Sequence, residues 1–137
     1  MAIAGILLDT NAYVAFKRES PGAVEIIRYA HEIAISSIVL GELLSGFTIG
    51  TREATNQHEL AQFLASDRVR VLAVDDGTAS HYAAVYRMLR RKGYPIPTND
   101  MWLAATALQH DLAMFSYDGH FKMVDGILVG SRLADFD

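Results

Sequence analysis

The sequence predicts a single α/β domain built on a mostly parallel sheet of five strands. Short apolar runs recur along the chain, and segments of helical composition separate most of them. This alternation is typical of parallel sheets, in which each crossover usually contains a helix. A length of 137 residues suits one domain spanning 1–137, and 51% hydrophobic against 20% charged residues is the balance of a globular protein.

The predicted strands are short and strongly apolar, as expected for strands buried on both faces. They cover residues 4–8, 33–36, 69–74, 112–116 and 127–129. Helices are predicted at about 12–17, 21–31, 37–47, 52–65, 78–92 and 98–110.

Capping residues set several of the predicted helix boundaries. Asp75 is expected to cap the helix over 78–92, because a side-chain carboxylate can accept from the free N–H groups of the first turn. Gly93 is expected to end that helix. Thr98 is expected to cap the helix that follows.

Composition excludes several classes of protein. With no cysteine, the chain has neither a disulfide framework nor a thiolate metal site. No apolar run approaches the ~20 residues that cross a bilayer, so we expect no membrane association and a cytoplasmic location. The net charge of −4 is opposite to that of most dedicated nucleic-acid binders. An enzyme that holds phosphate through metal ions can tolerate this charge.

Four acidic residues fall where a parallel sheet binds ligands, at the carboxyl ends of its strands. Asp9 follows the first strand directly, and Glu42 lies in the helix after the second strand. Asp100 lies in the first turn of the helix near Thr98, and Asp118 lies just past the fourth strand. We therefore expect the four side chains to gather at one edge.

Clustered carboxylates repel one another unless a cation neutralises them or some take up protons. A site of oxygen ligands without Cys or His suits Mg²⁺ or Mn²⁺ better than zinc. Such ions can activate water and stabilise charge during phosphodiester hydrolysis. Spacing alone leaves a plain alternative open, since any α/β domain carries some acids near its strand ends.

Four motifs in order resemble the PIN-domain ribonucleases, and among them the VapC-type toxins of bacterial and archaeal toxin–antitoxin pairs. The resemblance covers essentially the whole chain, including the closing VDGILV. The motifs are LLDTN at 7–11, SSIVLGELLSG at 36–46, PTNDMWLAATAL at 97–108 and SYDGHF at 116–121.

The resemblance implies a three-layer α/β/α sandwich, RNA cleavage that depends on Mg²⁺ or Mn²⁺, a homodimer, and silencing by a small antitoxin. It also implies roles for individual residues. Two residues depart from the family pattern. Ser116 stands where threonine is commoner and keeps the hydroxyl. Val39 stands where many relatives have threonine before the glutamate, so one possible supporting hydrogen bond is missing. The implied metal-binding and catalytic acids are Asp9, Glu42, Asp100 and Asp118, and the implied supporting residues are Asn11, Ser36 and Ser116.

Other polar residues have plainer interpretations. Asp75 and Asp76 are expected to serve the helix terminus rather than a second acidic site. The five histidines show no metal-ligand spacing. His120 is expected to be structural or at the surface, and contact with the substrate stays open because it stands near Asp118. Helix-terminal charge is the simplest explanation of a basic run, although contact with RNA stays open; the run consists of Arg87, Arg90, Arg91 and Lys92.

Three functions are weighed for this chain. A metal-dependent endoribonuclease toxin is favoured. A phosphoryl-accepting receiver domain would need an acidic pair after the first strand, where a single acid stands. A non-catalytic PIN-like binding module is the third possibility, and the presence of all four acids argues against it.

Overall fold

The computed structural model describes residues 2–137 and confirms the predicted α/β class. All five strands lie in one sheet, and every pairing is parallel. The strand order is β3-β2-β1-β4-β5. The strands are β1 (Ile6–Leu8), β2 (Ile33–Ser36), β3 (Val69–Leu72), β4 (Ala113–Phe115) and β5 (Val129–Gly130).

Within residues 2–137, six α-helices connect the strands, in the order that the sequence predicts. Short 3₁₀ turns at Gly119–Met123 and Leu133–Phe136 complete the chain. The helices are α1 (Thr10–Lys17), α2 (Pro21–Tyr29), α3 (Ser37–Thr48), α4 (Glu53–Leu64), α5 (Asp76–Lys92) and α6 (Thr98–His110).

The central strands form the core of the domain. Every residue of β1 and β2 is buried, as expected where helices cover both faces of a parallel sheet. Ile6 is in register with Ile33 on one side and Ala113 on the other. The edge strand β3 is largely exposed, so the core is centred on β1.

The direction of the chain reverses across the sheet between β1 and β4. From β1 it moves outward through β2 to β3, then crosses to β4 and moves outward again to β5. Because parallel crossovers are right-handed, α1–α4 cover one face and α5–α6 cover the other, which gives the expected three layers. Ligands bind at such a reversal, beyond the carboxyl ends of the two strands that flank it.

Several boundaries differ from the sequence prediction. The first strand begins at Ile6 rather than Ala4, and β3 ends at Leu72 rather than Val74. Thr98 is not the cap of α6: Pro97 takes that position, with no side-chain hydrogen bond, and Thr98 is the first helical residue. The backbone of Pro97, with ψ of 148°, has the non-helical geometry of an N-cap residue. Its ring has no hydrogen-bond acceptor, so no side chain caps the first turn.

Asp75 and Gly93 bound α5 as predicted. The Asp75 carboxylate accepts from the backbone N–H of Thr78, and the Thr78 hydroxyl accepts from the Asp75 N–H, which makes a reciprocal capping box. Gly93 adopts a left-handed conformation with φ of 66° and ends the helix.

Candidate active site

The carboxyl ends of β1 and β4 meet at a cleft of about 510 Å³. All four predicted acids line it: Asp9, Glu42, Asp100 and Asp118. Chain-distant segments supply them, since α1, α3, α6 and the β4–β5 loop all reach this edge. The structure therefore brings together the acidic residues that the sequence analysis singled out.

Asp9 lies deepest and is held most firmly. It is only 7% exposed. Its Oδ1 accepts from the Thr10 N–H at 2.8 Å, and its Oδ2 accepts from the Ser116 hydroxyl at 2.6 Å. These bonds fix the carboxylate at the point where β1 becomes α1, so Asp9 is pre-oriented toward the cleft.

Burial raises the pKa of Asp9 above its ordinary value, and the negative charges of Glu42 and Asp118 raise it further. The hydrogen bonds from Ser116 and Thr10 oppose this shift without cancelling it. Without a cation, Asp9 is therefore a carboxylate in an unfavourable electrostatic environment. A positive charge in the cleft would relieve it.

Glu42 is held by two neighbours from different parts of the chain. The Thr10 hydroxyl donates to Oε1 at 2.6 Å, and the Asn99 amide donates to Oε2 at 3.2 Å. Thr10 directly follows Asp9, and Asn99 directly precedes Asp100. The same chain segments that supply two of the acids thus also orient a third.

Asp100, Asp118 and His120 form the most compact group. His120 Nε2 lies 2.5 Å from Asp100 Oδ2, and His120 Nδ1 lies 2.7 Å from Asp118 Oδ1. Burial raises the pKa of Asp100, the hydrogen bond from His120 lowers it, and the charges of Asp9 and Asp118 raise it again. The imidazole thus bridges two carboxylates that would otherwise repel each other.

The His120 contacts correct the interpretation of the histidines. The histidines show no metal-ligand spacing in the sequence, yet Asp100, Asp118 and His120 each offer one ligand atom, all within 4.8 Å of one another. The site therefore has a nitrogen donor beside its carboxylate oxygens. The only sequence signal was that His120 stands two residues after Asp118.

The predicted supporting residues act at different distances from the acids. Ser116 donates to Asp9 and accepts from the Asp118 N–H at 3.0 Å, so it joins two of them. Asn11 accepts from the Tyr117 N–H at 3.2 Å and ties α1 to the segment after β4. The fully buried Ser36 caps α3, the helix that carries Glu42, by accepting from the Ile38 N–H at 3.0 Å.

Thr10 and Asn99 are site residues that the sequence analysis did not single out. Both are neighbours of predicted acids, but their contacts with Glu42 span 32 and 57 residues of sequence. Nothing in their spacing indicates that pairing, because it depends on how α3 packs against α1 and α6.

The donor set fits a divalent cation. Four carboxylates converge on one cleft, and the pKa of two of them is raised in part by the neighbouring charges. Carboxylate oxygens are the ligands that Mg²⁺ and Mn²⁺ prefer, and imidazole is a ligand that transition ions accept.

A family model described as PIN domain matches residues 6–127. Among curated relatives, the chain is 26% identical over 132 residues to "Ribonuclease VapC4" of Mycobacterium tuberculosis, covering 94% of this chain and 98% of that protein. It is 27% identical over 128 residues to "Ribonuclease VapC2" of Rickettsia felis, covering 90% and 94%.

Solved structures show the same fold. The VapBC2 structure from Rickettsia felis, bound to a DNA fragment from its promoter, matches with a TM-score of 0.80 at 25% identity, covering 92% of this chain and 97% of that one. The FitAcB structure from Neisseria gonorrhoeae matches with a TM-score of 0.72 at 27% identity, covering 90% and 95%. The chain belongs to the PIN-domain family.

Proposed function

We propose that this protein is a VapC-type ribonuclease toxin of a toxin–antitoxin system, and that it hydrolyses RNA phosphodiester bonds with the help of a divalent cation. The observation that carries the proposal is the convergence of Asp9, Glu42, Asp100 and Asp118 on one cleft at the sheet reversal. The curated relatives named above are ribonucleases, and they match this chain over nearly its whole length.

Asp9, Glu42, Asp100 and Asp118 would hold the cation. A bound divalent ion would polarise the phosphate and make water a better nucleophile. Mg²⁺ and Mn²⁺ both suit the carboxylates.

The protein's own contribution is orientation. Ser116 holds Asp9 and the backbone of Asp118, while Thr10 and Asn99 hold the two oxygens of Glu42. Such supporting contacts matter because a loss of ligand orientation lowers metal affinity and activity. Asp9, buried and fixed at both oxygens, is the anchor of the set.

The proposal includes partners. The solved relatives include toxin–antitoxin complexes, and we infer that a small cognate antitoxin restrains this chain. A homodimer is also proposed, as is a cytoplasmic site of action, where cellular RNA is available. Within residues 2–137, no helix is both long and apolar enough to cross a bilayer.

The test is an RNA cleavage assay with the purified protein. We expect cleavage of RNA in the presence of Mn²⁺, abolished by chelator and restored by excess Mn²⁺. Cleavage that persists in chelator, or that persists at full rate in an Asp9→Asn variant, would overturn the mechanism. A protein that binds the ion but cleaves no RNA would instead support the non-catalytic binding module.

A further inference from the structure

A second groove, which we call the basic groove, opens beside the acidic cleft. Its volume is about 360 Å³, and α1, α3 and α4 form its walls. Val14 and Arg18 line both the basic groove and the acidic cleft, so the two are contiguous. The basic groove is lined by Tyr13, Val14, Lys17, Arg18, Phe47, Arg52, Asn56 and Glu59.

Tyr13 lines this groove, and its buried hydroxyl lacks a hydrogen-bond partner among the described residues. Tyr13 is 2% exposed, and its Oη makes no hydrogen bond with any atom of residues 2–137. Phe63 packs edge-on against the Tyr13 ring, with the two ring centroids 5.3 Å apart. Leaving a buried hydroxyl unpaired is unfavourable, because its desolvation is not compensated by a hydrogen bond, and a bound acceptor would supply that bond.

The Tyr13 hydroxyl is available as a donor. Burial, together with the charge of Glu59, raises the pKa of Tyr13 to about 12. The group therefore keeps its proton at neutral pH and can donate to an acceptor. The ligand that fits this hydroxyl carries oxygen acceptors.

The charges along the groove favour an anionic ligand. Lys17 lies 3.3 Å from Glu59, and Arg52 lies 4.0 Å from the same carboxylate. One carboxylate thus pairs with two cations, which leaves the groove with excess positive charge. Arg18 forms no ion pair within the part of the chain that the structure describes, and it stands where the basic groove meets the acidic cleft.

We propose that the basic groove binds the phosphodiester backbone of the RNA next to the bond that is cut. This inference rests on the proposed function, since it takes the acidic cleft as the place of cleavage. Phosphate oxygens would accept from the Tyr13 hydroxyl and from Arg18, while the Asn56 amide offers a further donor. The positive charge of this groove also explains how a chain with a net charge of −4 can bind RNA, because electrostatic attraction depends on the local distribution of charge.

The test measures RNA binding without cleavage. Each variant is built on Asp9→Asn and kept in chelator, and the probe is a fluorescein-labelled single-stranded RNA of about twelve nucleotides, within the range that one small domain covers. Binding is followed by anisotropy as a function of salt concentration. The variants are Arg18→Gln and Tyr13→Phe, and the matched control is Arg28→Gln, an exposed charge on α2 outside the groove.

Arg18→Gln should weaken binding and reduce the slope of log K against log salt by about 0.7, the value for one single-strand phosphate contact. Tyr13→Phe should weaken binding about tenfold, since a hydrogen bond to a charged group is lost. Its melting temperature should stay at the parent value or rise, because an unpaired buried hydroxyl is removed. Arg28→Gln should bind like the parent.

If Arg18→Gln and Tyr13→Phe bind RNA as tightly as Arg28→Gln does, the proposal is overturned. It is equally overturned if they keep RNA affinity but lose a copurifying antitoxin, which would assign the groove to a protein partner. The outcome is independent of the cleavage assay. A failed cleavage assay contradicts the proposed function, whereas normal cleavage with unchanged variant affinities contradicts only the basic groove.

Discussion

Two sets of acids follow strands of the same sheet, and the structure uses them in opposite ways. Asp9 follows β1 and faces other carboxylates, so its pKa is raised by burial and by their charges. Asp75 follows β3 and accepts from the Thr78 N–H at 3.0 Å and the Gln109 amide at 2.8 Å. Those bonds lower the pKa of Asp75.

The difference shows that a carboxylate at the end of a parallel strand is not in itself a site. At Asp75 the protein supplies enough donors to satisfy the charge, and the acid stabilises a helix. At the acidic cleft the bonds from Ser116, Thr10 and His120 do not outweigh burial and repulsion. The acids of the cleft therefore differ from Asp75 in that the protein's own donors do not compensate their negative charge, and a cation would be favoured there.

The largest expected effect is a difference in RNA cleavage between variants of Asp9 and of Asp75. Asp9→Asn should reduce metal-dependent RNA cleavage by more than about 100-fold, because changes to supporting residues alone cost 10–100-fold. Asp75→Asn should leave the cleavage rate near the wild-type value. Initial rates at saturating Mn²⁺ measure both, and equal losses in the two variants would erase the distinction.

Ser116→Ala tests whether orientation contributes to the acidic cleft. It removes the donor to Asp9 Oδ2 and the acceptor for the Asp118 N–H. Cleavage and Mn²⁺ affinity should fall by about 10–100-fold. Ser80→Ala, at an exposed position of α5, is the matched control and should change neither. Wild-type affinity in Ser116→Ala would show that Asp9 needs no such support.

Ser36→Ala tests support that acts through a helix. The buried Ser36 hydroxyl caps α3, the helix that carries Glu42. Its loss should lower the free energy of unfolding by about 1 kcal/mol, measured by urea denaturation. The cleavage rate should fall less than in Ser116→Ala, because Glu42 keeps its bonds from Thr10 and Asn99. A larger loss of activity would give Ser36 a direct part in the site.

The pH dependence of stability should have opposite signs for the two acids. Because the pKa of Asp9 is raised, its stabilising contribution is complete below its ordinary pKa and is lost as pH rises through the raised value. In chelator, Asp9→Asn should therefore melt above wild type at pH 7, and the gain should shrink as pH falls.

For Asp75 the pKa is lowered, so its contribution is present above its ordinary pKa and is lost as pH falls through the lowered value. Asp75→Asn should therefore melt below wild type at pH 7, with the deficit shrinking in acid. Melting curves across pH for the three proteins measure both effects. Shifts of the same sign for the two variants would contradict the assigned pKa directions.

Most of the fold could be predicted from the sequence because its signals are local. Apolar runs mark β1 and β2, and Asp75 and Gly93 mark the ends of α5. The four acids could also be placed, since the carboxyl ends of parallel strands share one edge. The contacts between them could not, because the bridge from His120 to Asp100 depends on the turn that follows Asp118.

The comparison between the two acids also gives the most direct test of a cation in the acidic cleft. Wild type and Asp75→Asn should each gain about 2.7 kcal/mol of stability when free Mn²⁺ is a hundred times its Kd, seen as a higher melting temperature. Asp9→Asn should gain little at the same concentration. Equal Mn²⁺ stabilisation of all three proteins, or none in wild type, would contradict a divalent-cation site built on Asp9.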